Sequence, residues 1–490
     1  ANYVKFEKLG FMIIGLFVLS YFLYYKGLTN GLGIFLIIVD VVFLLPLVLF
    51  VAFAYVVGHT YFTPVLYLAV ALTFALFVYY NKYIICLVAF FVPMARIMKF
   101  SPNGLTFLNW AIIFALLAII LANDCRFNTT AIFSGVALLL LLLMKNLLTN
   151  FGLSFSYVRV AIFLILIPQV FSAYKRKKID TDIMNISRFL FWGVVFSVVI
   201  GMIYADHPGL VNYLATDDTH KLGKEVFNRF CGLSNDPNYF SSIVAFTLAM
   251  QLYCLTKTIK VKYVIGSILL TLMGTLTLSK MYFLIAVVIW VLSVVNVWKA
   301  SNKQKDSGLR NILILCIVAI CILLMGNFLS SSGYFDIMFD RFTGMESGLT
   351  TGRADSWKIY IDNIFDSLEI FTIGAPRDSL VLGHHVTHNT FVQIWWKFGL
   401  AGIIIIFAWF IALYREVKIS YGFYRGSFLE SFPILLSMIL PLLALDKLIF
   451  DEAYWFYIIY LFVRINTSEK IATRGNDQYE KNISGRSNVH

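Results

Sequence analysis

The stretch LAGIIIIFAWFIALY, residues 400–414, decides the fold of this chain. It holds no charged residue, and with the apolar positions before it the run is long enough to cross a bilayer. That takes about 20 residues for about 30 Å of hydrocarbon. A helix built from such a run is apolar on every face and has none to offer to water. GVALLLLLLM at 135–144 has the same character, and comparable runs recur along the 490 residues. The chain is 60% hydrophobic and 13% charged, where soluble domains carry about 25% charged residues. These features predict an all-α, polytopic transmembrane protein.

The net charge of +12 follows topology. Lys175, Arg176, Lys177 and Lys178 share one short loop, and Lys257, Lys260 and Lys262 another. Lys299, Lys303, Lys305 and Arg310 form a third cluster, Arg415, Lys418 and Arg425 a fourth. Each lies between apolar segments, as positive-inside anchoring requires, so no nucleic-acid partner is expected. Taking these loops as cytoplasmic predicts spans near 184–204, 239–256, 262–278, 281–298, 310–329, 390–413, 429–445 and 450–466. The loops about 205–238 and 330–388 then lie outside. Before residue 180, apolar segments near 10–25, 31–56, 61–80, 83–96, 105–122, 130–149 and 153–174 make seven candidates; 83–96 is short for a span, and parity with both ends inside allows six.

The expectation is about 12–14 helices in three parts. Residues 1–180 form an N-terminal transmembrane bundle, and 181–466 a second transmembrane region that carries the two long external loops. Residues 467–490 are polar, with almost nothing to bury, and read as a disordered cytoplasmic tail. Lys5 and Lys8 precede an apolar stretch with no small-residue cleavage site, which reads as an uncleaved first span. The six cysteines are scattered without CxxC or zinc spacing and read as packing residues.

The two external loops carry the functional signal. Five of the seven histidines, His207, His220, His384, His385 and His388, fall in them. Arg229, Arg341, Arg353 and Arg377 lie there too, against the positive-inside trend, so anchoring does not explain them. In TTGRADSWKIYIDNIFD (350–366), Trp357, Tyr360, Ile361, Ile364 and Phe365 recur at helical spacing. This predicts an amphipathic helix capped by Thr350 or Thr351, with Arg353 on the apolar face and aimed into the membrane domain. The plainer alternative is an arginine that snorkels to headgroups or pairs with Asp355.

RFCGLSNDPNYFSS (229–242) joins the first loop to a span, with Ser234 or Asp236 as cap and Pro237 in the first turn. Arg229 approaches that helix start, whose free N–H groups favour an anion. In TLTLSKMYF (275–283), Ser279 and Lys280 mark the external turn between two spans. In HNTFVQIWWKFGLAG (388–402), Thr387 or Asn389 caps a helix whose positive end keeps His388 neutral and able to accept a proton. Gly399 and Gly402 mark a bend. No carboxylate lies close to His384, His385 and His388, so neither a metal nor another cofactor is expected. Arg229, Lys280, Arg353 and His388 together make a cationic pocket with one candidate general base, suited to a diphosphate leaving group and a hydroxyl nucleophile.

GLSNDPNYF after Arg229, TLTLSK, TTGRADSW and HNTFVQIWWKFGLAG together resemble the bacterial O-antigen polymerase (Wzy) and O-antigen ligase (WaaL) superfamily. They come in the family's order over roughly residues 225–405. Lys280 stands where many members have arginine, which keeps the charge and loses the bidentate fork. The resemblance implies a metal-independent C-type glycosyltransferase of the bacterial plasma membrane, acting at its outer face on undecaprenyl-diphosphate-linked glycans. It implies His388 as the base. Arg229, Lys280, Arg341 and Arg353 would hold the diphosphate, with Asp236, Asn238 and Asn389 in support. Membrane lipids and a chain-length regulator protein are the implied partners. The motifs do not separate polymerase from ligase; the polymerase is favoured because such proteins are more numerous.

A flippase or other transporter is the competing class. Transporters place ionisable groups at the midplane on broken helices, often in paired halves. Here the ionisable groups gather in external loops and no paired halves are visible, although Asp40 and Asp446 lie near or within spans.

Overall fold

The computed structural model describes residues 84–94, 129–149, 155–175, 182–206, 230–234, 236–258, 260–301, 353–376, 387–445 and 455–467, and every regular element among them is helical. The helices are α1 (Ile84–Phe91, extended by a 3₁₀ turn over Val92–Met94), α2 (Thr129–Thr149), α3 (Phe155–Lys175) and α4 (Ile183–Asp206). Next come α5 (Pro237–Lys257), α6 (Val261–Thr275), α7 (Lys280–Ser301), α8 (Arg353–Asp366) and α9 (Leu368–Ile373). The last are α10 (Thr390–Tyr421), α11 (Arg425–Leu442) and α12 (455–467).

Among the described helices α4, α5, α7 and α10 are long and apolar enough to cross a membrane. Helix α5 is apolar all round and accordingly sits at the centre, against α4, α6, α7 and α11. Its serine and threonine hydroxyls are satisfied within the helix: Ser242 donates to Tyr239 O (2.7 Å) and Thr247 to Ile243 O (2.8 Å). Gln251 reaches out instead, to Ser187 O of α4 (3.1 Å). By contrast α7 exposes Leu284, Val287, Val291, Val295 and Trp298 along one stripe. An apolar stripe of that length suits lipid contact rather than water. This is a helical membrane protein.

Where the spans expected from 130 to 298 and from 390 to 466 fall on described residues they are helical, except for turns at 276–278 and 443–445. Of the doubtful 83–96 segment the described residues, 84–94, form the short α1 and its turn. The first spans, the 310–329 span, and therefore the total of 12–14, lie outside the described residues. One boundary moves: Thr467, taken as the start of the polar tail, is still helical and buried, and hydrogen-bonds with the Tyr253 hydroxyl. Cys86, Cys231 and Cys254 are buried, as packing residues are.

Helix α10 is broken where the glycine pair suggested a bend. Gly399 has φ 62° and ψ −171°, and a Cβ there would lie 2.3 Å from Thr372 O. A break inside a span frees carbonyls that lipid cannot satisfy. Here Lys145 of α2, fully buried, donates to Lys397 O, and Ala375 N–H donates to Trp396 O at 2.7 Å. Trp395 Nε1 donates to Phe371 O (3.2 Å), and the Tyr360 and Trp396 rings meet edge to face at 5.0 Å. The segment 367–376 is thereby docked into the break, and α8 is packed on the first half of α10.

The two ends of the bundle differ chemically. One gathers Lys257 paired with Glu430, and Arg464 with its guanidinium over the rings of Phe423 (4.8 Å) and Phe428 (5.6 Å). The other gathers the starts of α5 and α10, the α6–α7 turn and the end of α11.

Candidate functional site

Both helix starts at this second end are capped. Asp236 Oδ1 accepts from the N–H groups of Asn238 (2.6 Å) and Tyr239 (3.3 Å), with Pro237 in the first turn. Asn389 Oδ1 accepts from Phe391 (2.9 Å) and Val392 (3.2 Å). Ser234 and Thr387, the alternative caps, are not used: each lies two residues ahead of the N-cap, outside the turn whose donors need a partner. The α5 start also corrects an expectation. Its N–H groups are not free for an anion, because the Asp236 carboxylate already occupies them.

Asn238 Oδ1 accepts from Ser279 Oγ at 2.9 Å, so the α5 start and the α6–α7 turn form one cluster. Phe230 N–H donates to Leu276 O (3.1 Å), which lays the 230–234 segment along the same turn. Gly232, at φ 55°, lets that segment press onto α4, where Leu233 N–H donates to Ser197 Oγ (2.9 Å). Within the turn Ser279 N–H donates to Thr277 Oγ1 (3.3 Å), and Lys280 opens α7 with its Nζ shielded from solvent.

His388, half-buried, immediately precedes the cap of α10. Its φ is 44°, and among the described residues the only other non-glycine at positive φ is Leu278, at 49° in the Lys280 turn. Left-handed backbone costs a side-chain-bearing residue about 1–2 kcal/mol, and such strain gathers at functional sites. Thr390 Oγ1 donates to Leu445 O (2.6 Å), fixing the α10 start to the end of α11.

Arg353 is half-buried at the start of α8, whose packed stripe is Ser356, Tyr360 and Ile364. The apolar face read from the sequence is wider than that stripe: Phe365 is 61% exposed, and Ile361 lies at the exposed edge. Arg229, Arg341, His384, His385, Thr350 and Thr351 lie outside the described residues.

One residue that the sequence reading passed over, and two that it took only as possible caps, matter to this region. Lys145 is a lone lysine in the apolar run of α2, a signal open to anyone asking why a charge sits in a span. Ser234 Oγ and Thr387 Oγ1 are buried and, among the described residues, have no hydrogen-bond partner. Buried polar atoms are nearly always paired, and nothing in the local sequence marks these two as exceptions.

Below the mouth, a cleft of ≈ 380 Å³ runs between α5, α10, α11 and α12, lined by Ser242, Phe391, Ile406, Phe407, Ile439 and Tyr457 among others. Its lining reaches Phe391 in the first turn of α10 and Ser242 in the second turn of α5. Compared with known proteins, the chain matches no family model and no curated relative.

Proposed function

We propose that this protein is a glycosyltransferase of the bacterial plasma membrane, similar to the O-antigen polymerases. It joins undecaprenyl-diphosphate-linked repeat units into a polysaccharide at the outer face. The observation that carries this reading is His388. It is held in left-handed backbone at the positive end of α10, behind a neutral asparagine cap and beside a Thr387 hydroxyl that has no partner among the described residues. A neutral cap leaves the helix's partial positive charge uncompensated, which disfavours imidazolium and favours an anion nearby.

In the reaction, His388 takes the proton of the acceptor hydroxyl as its oxygen attacks the anomeric carbon of the donor glycan. The bond from that carbon to the diphosphate oxygen breaks, and the diphosphate leaves with the electron pair, still attached to its lipid. Lys280 and Arg353, with Arg229 and Arg341, neutralise it, and His388 gives up its proton to the released diphosphate or to water. No metal or cofactor takes part in this scheme.

General-base catalysis contributes about 10²–10⁴-fold. Purified His388→Ala protein, given lipid-linked repeat units in bilayer discs, should therefore lose polymer formation by about that factor and keep the unfolding midpoint of the wild type. Near-normal polymer from a folded His388→Ala protein removes the base. Supplying lipid A core as acceptor in the same assay separates ligase from polymerase, and titrating in a chain-length regulator tests that partnership.

The flippase reading gains one observation, the buried Lys145 at the break in α10, since transporters use ionisable groups on broken helices. Movement of a labelled lipid-linked oligosaccharide across sealed vesicles, without polymer formation, establishes it instead.

A further inference from the structure

Lys145 is fully buried where α2 packs on α10. It falls on the packed stripe of α2 with Leu138 and Leu141, while Leu147 and Leu148 stay exposed. Only four residues separate it from the end of that helix. A lysine so placed ordinarily snorkels to the membrane surface; this one turns inward. An ionisable group inside a bundle is costly and marks a specific task.

Its partner shows what the task is. Lys145 Nζ donates to Lys397 O, two residues before the Gly399 break. Leu141, one turn earlier on α2, stands against Gly402, where an added Cβ would lie 3.7 Å from its Cδ2. Helices α2 and α10 thus run antiparallel past the break. Gly374 presses on the same carbonyl, since a Cβ there would lie 2.6 Å from Lys397 O, but its own N–H is committed to Ile370 O (3.0 Å). Lys145 supplies a donor from a separate span, at the negative pole of the half-helix, where a cation is favoured.

The half-helix Thr390–Phe398 is about 13 Å long. Thr390 Oγ1 ties its outer end to Leu445 O (2.6 Å), and Lys145 ties its inner end to α2. Two ties fix the direction of a rod. With the inner one loosened, a tilt of about 5° moves one end against the other by about 1 Å. A misplacement of that size can cost about 100-fold in rate.

We infer that Lys145 is a positioning residue for the transfer: reaching from α2 into the break of α10, it holds the Lys397 carbonyl and so aims the half-helix that carries His388. The inference rests on the transferase reading of His388. Lys145 touches no substrate and acts only through α10.

The test is steady-state transfer by Lys145→Met and Lys145→Arg protein in bilayer discs, with chemical unfolding and amide exchange on the same samples. Methionine is close to lysine in length and removes the donor; arginine keeps one. Lys145→Met should lower kcat about 100-fold and leave KM within about twofold. Its unfolding midpoint should stay near that of the wild type, because losing the buried charge offsets losing the bond. Amides of 367–376 and 394–402 should exchange about tenfold faster, and those in the middle of α5 at the wild-type rate. Lys145→Arg should recover most of kcat and the slow exchange; if its bulk unfolds the protein, Lys145→Gln, a shorter donor, takes its place.

Wild-type kcat in Lys145→Met overturns the inference. So does a loss confined to KM, which would put Lys145 at the substrate, or a loss that the donor-bearing variants share along with a lowered midpoint, which would leave only packing. Wild-type protein that makes no polymer removes the transferase and this inference with it. Polymer made equally by the wild type and by Lys145→Met removes the inference alone.

Discussion

The starts of α5 and α10 use the same device with different charge. Each has a short polar side chain at the N-cap whose oxygen takes the N–H groups two and three residues on. At α5 that oxygen belongs to a carboxylate, so the helix's partial positive charge is answered from within the chain. The helix behind it is buried almost throughout and continues unbroken to Lys257. At α10 the cap is a neutral amide, the residue before it is a histidine at positive φ, and the helix breaks at Gly399. One start is finished and rigid; the other is electrostatically open and strained. The difference teaches where to look for a ligand: a helix end that already holds its own anion has little left for another.

The comparison breaks most visibly at the bend. Gly399→Ala puts a Cβ 2.3 Å from Thr372 O at a φ that only glycine holds without strain. It should cost about 3 kcal/mol of stability, measured by chemical unfolding in detergent. A small loss there means that the docking of 367–376 does not fix the first half of α10.

A charge swap sharpens the contrast between the caps. Asn389→Asp places a carboxylate on the open start and should stabilise the protein by about 0.5 kcal/mol; under the proposed function it should also slow glycan transfer about tenfold, by competing with the diphosphate. Asp236→Asn should lower the unfolding midpoint. Unchanged transfer by Asn389→Asp leaves the electrostatic difference without functional content.

The buried Thr387 hydroxyl gives a stability effect opposite in sign to that at the bend, and smaller. Thr387→Val removes a polar group with no partner among the described residues and should raise stability by about 1 kcal/mol. Transfer should nevertheless fall if the hydroxyl's partner is the substrate, so the two readouts move in opposite directions. A variant with higher stability and full activity shows the hydroxyl to be idle.

A last pair of variants isolates backbone strain at His388. Neither His388→Gly nor His388→Ala keeps the imidazole, but only glycine holds φ 44° freely. The glycine variant should be the more stable by about 1 kcal/mol, the reverse of the order within a helix. Equal stability of the pair, compared by denaturant midpoint, places the strain elsewhere.

By itself the sequence determined the medium and the punctuation. Uninterrupted apolar runs such as 400–414 have one low-energy home, a helix in lipid, because no other arrangement satisfies the backbone there. Ser234 or Asp236 before Pro237, and Thr387 or Asn389 before Phe391, announce helix starts because capping depends on neighbours in the chain, while the choice within each pair came from the structure. The glycine at 399 marked the bend for the same local reason. What lies between elements was settled only by packing. That the α5 start is closed to anions, that Ser279 reaches Asn238 across 41 positions, and that Lys145 closes the break in α10 all depend on which helices come to lie side by side. The cleft depends on it too, since its lining comes from four helices and its apolar residues look like any others in the chain. Periodicity and composition carry no information about such pairings, which arise only when the whole bundle has packed.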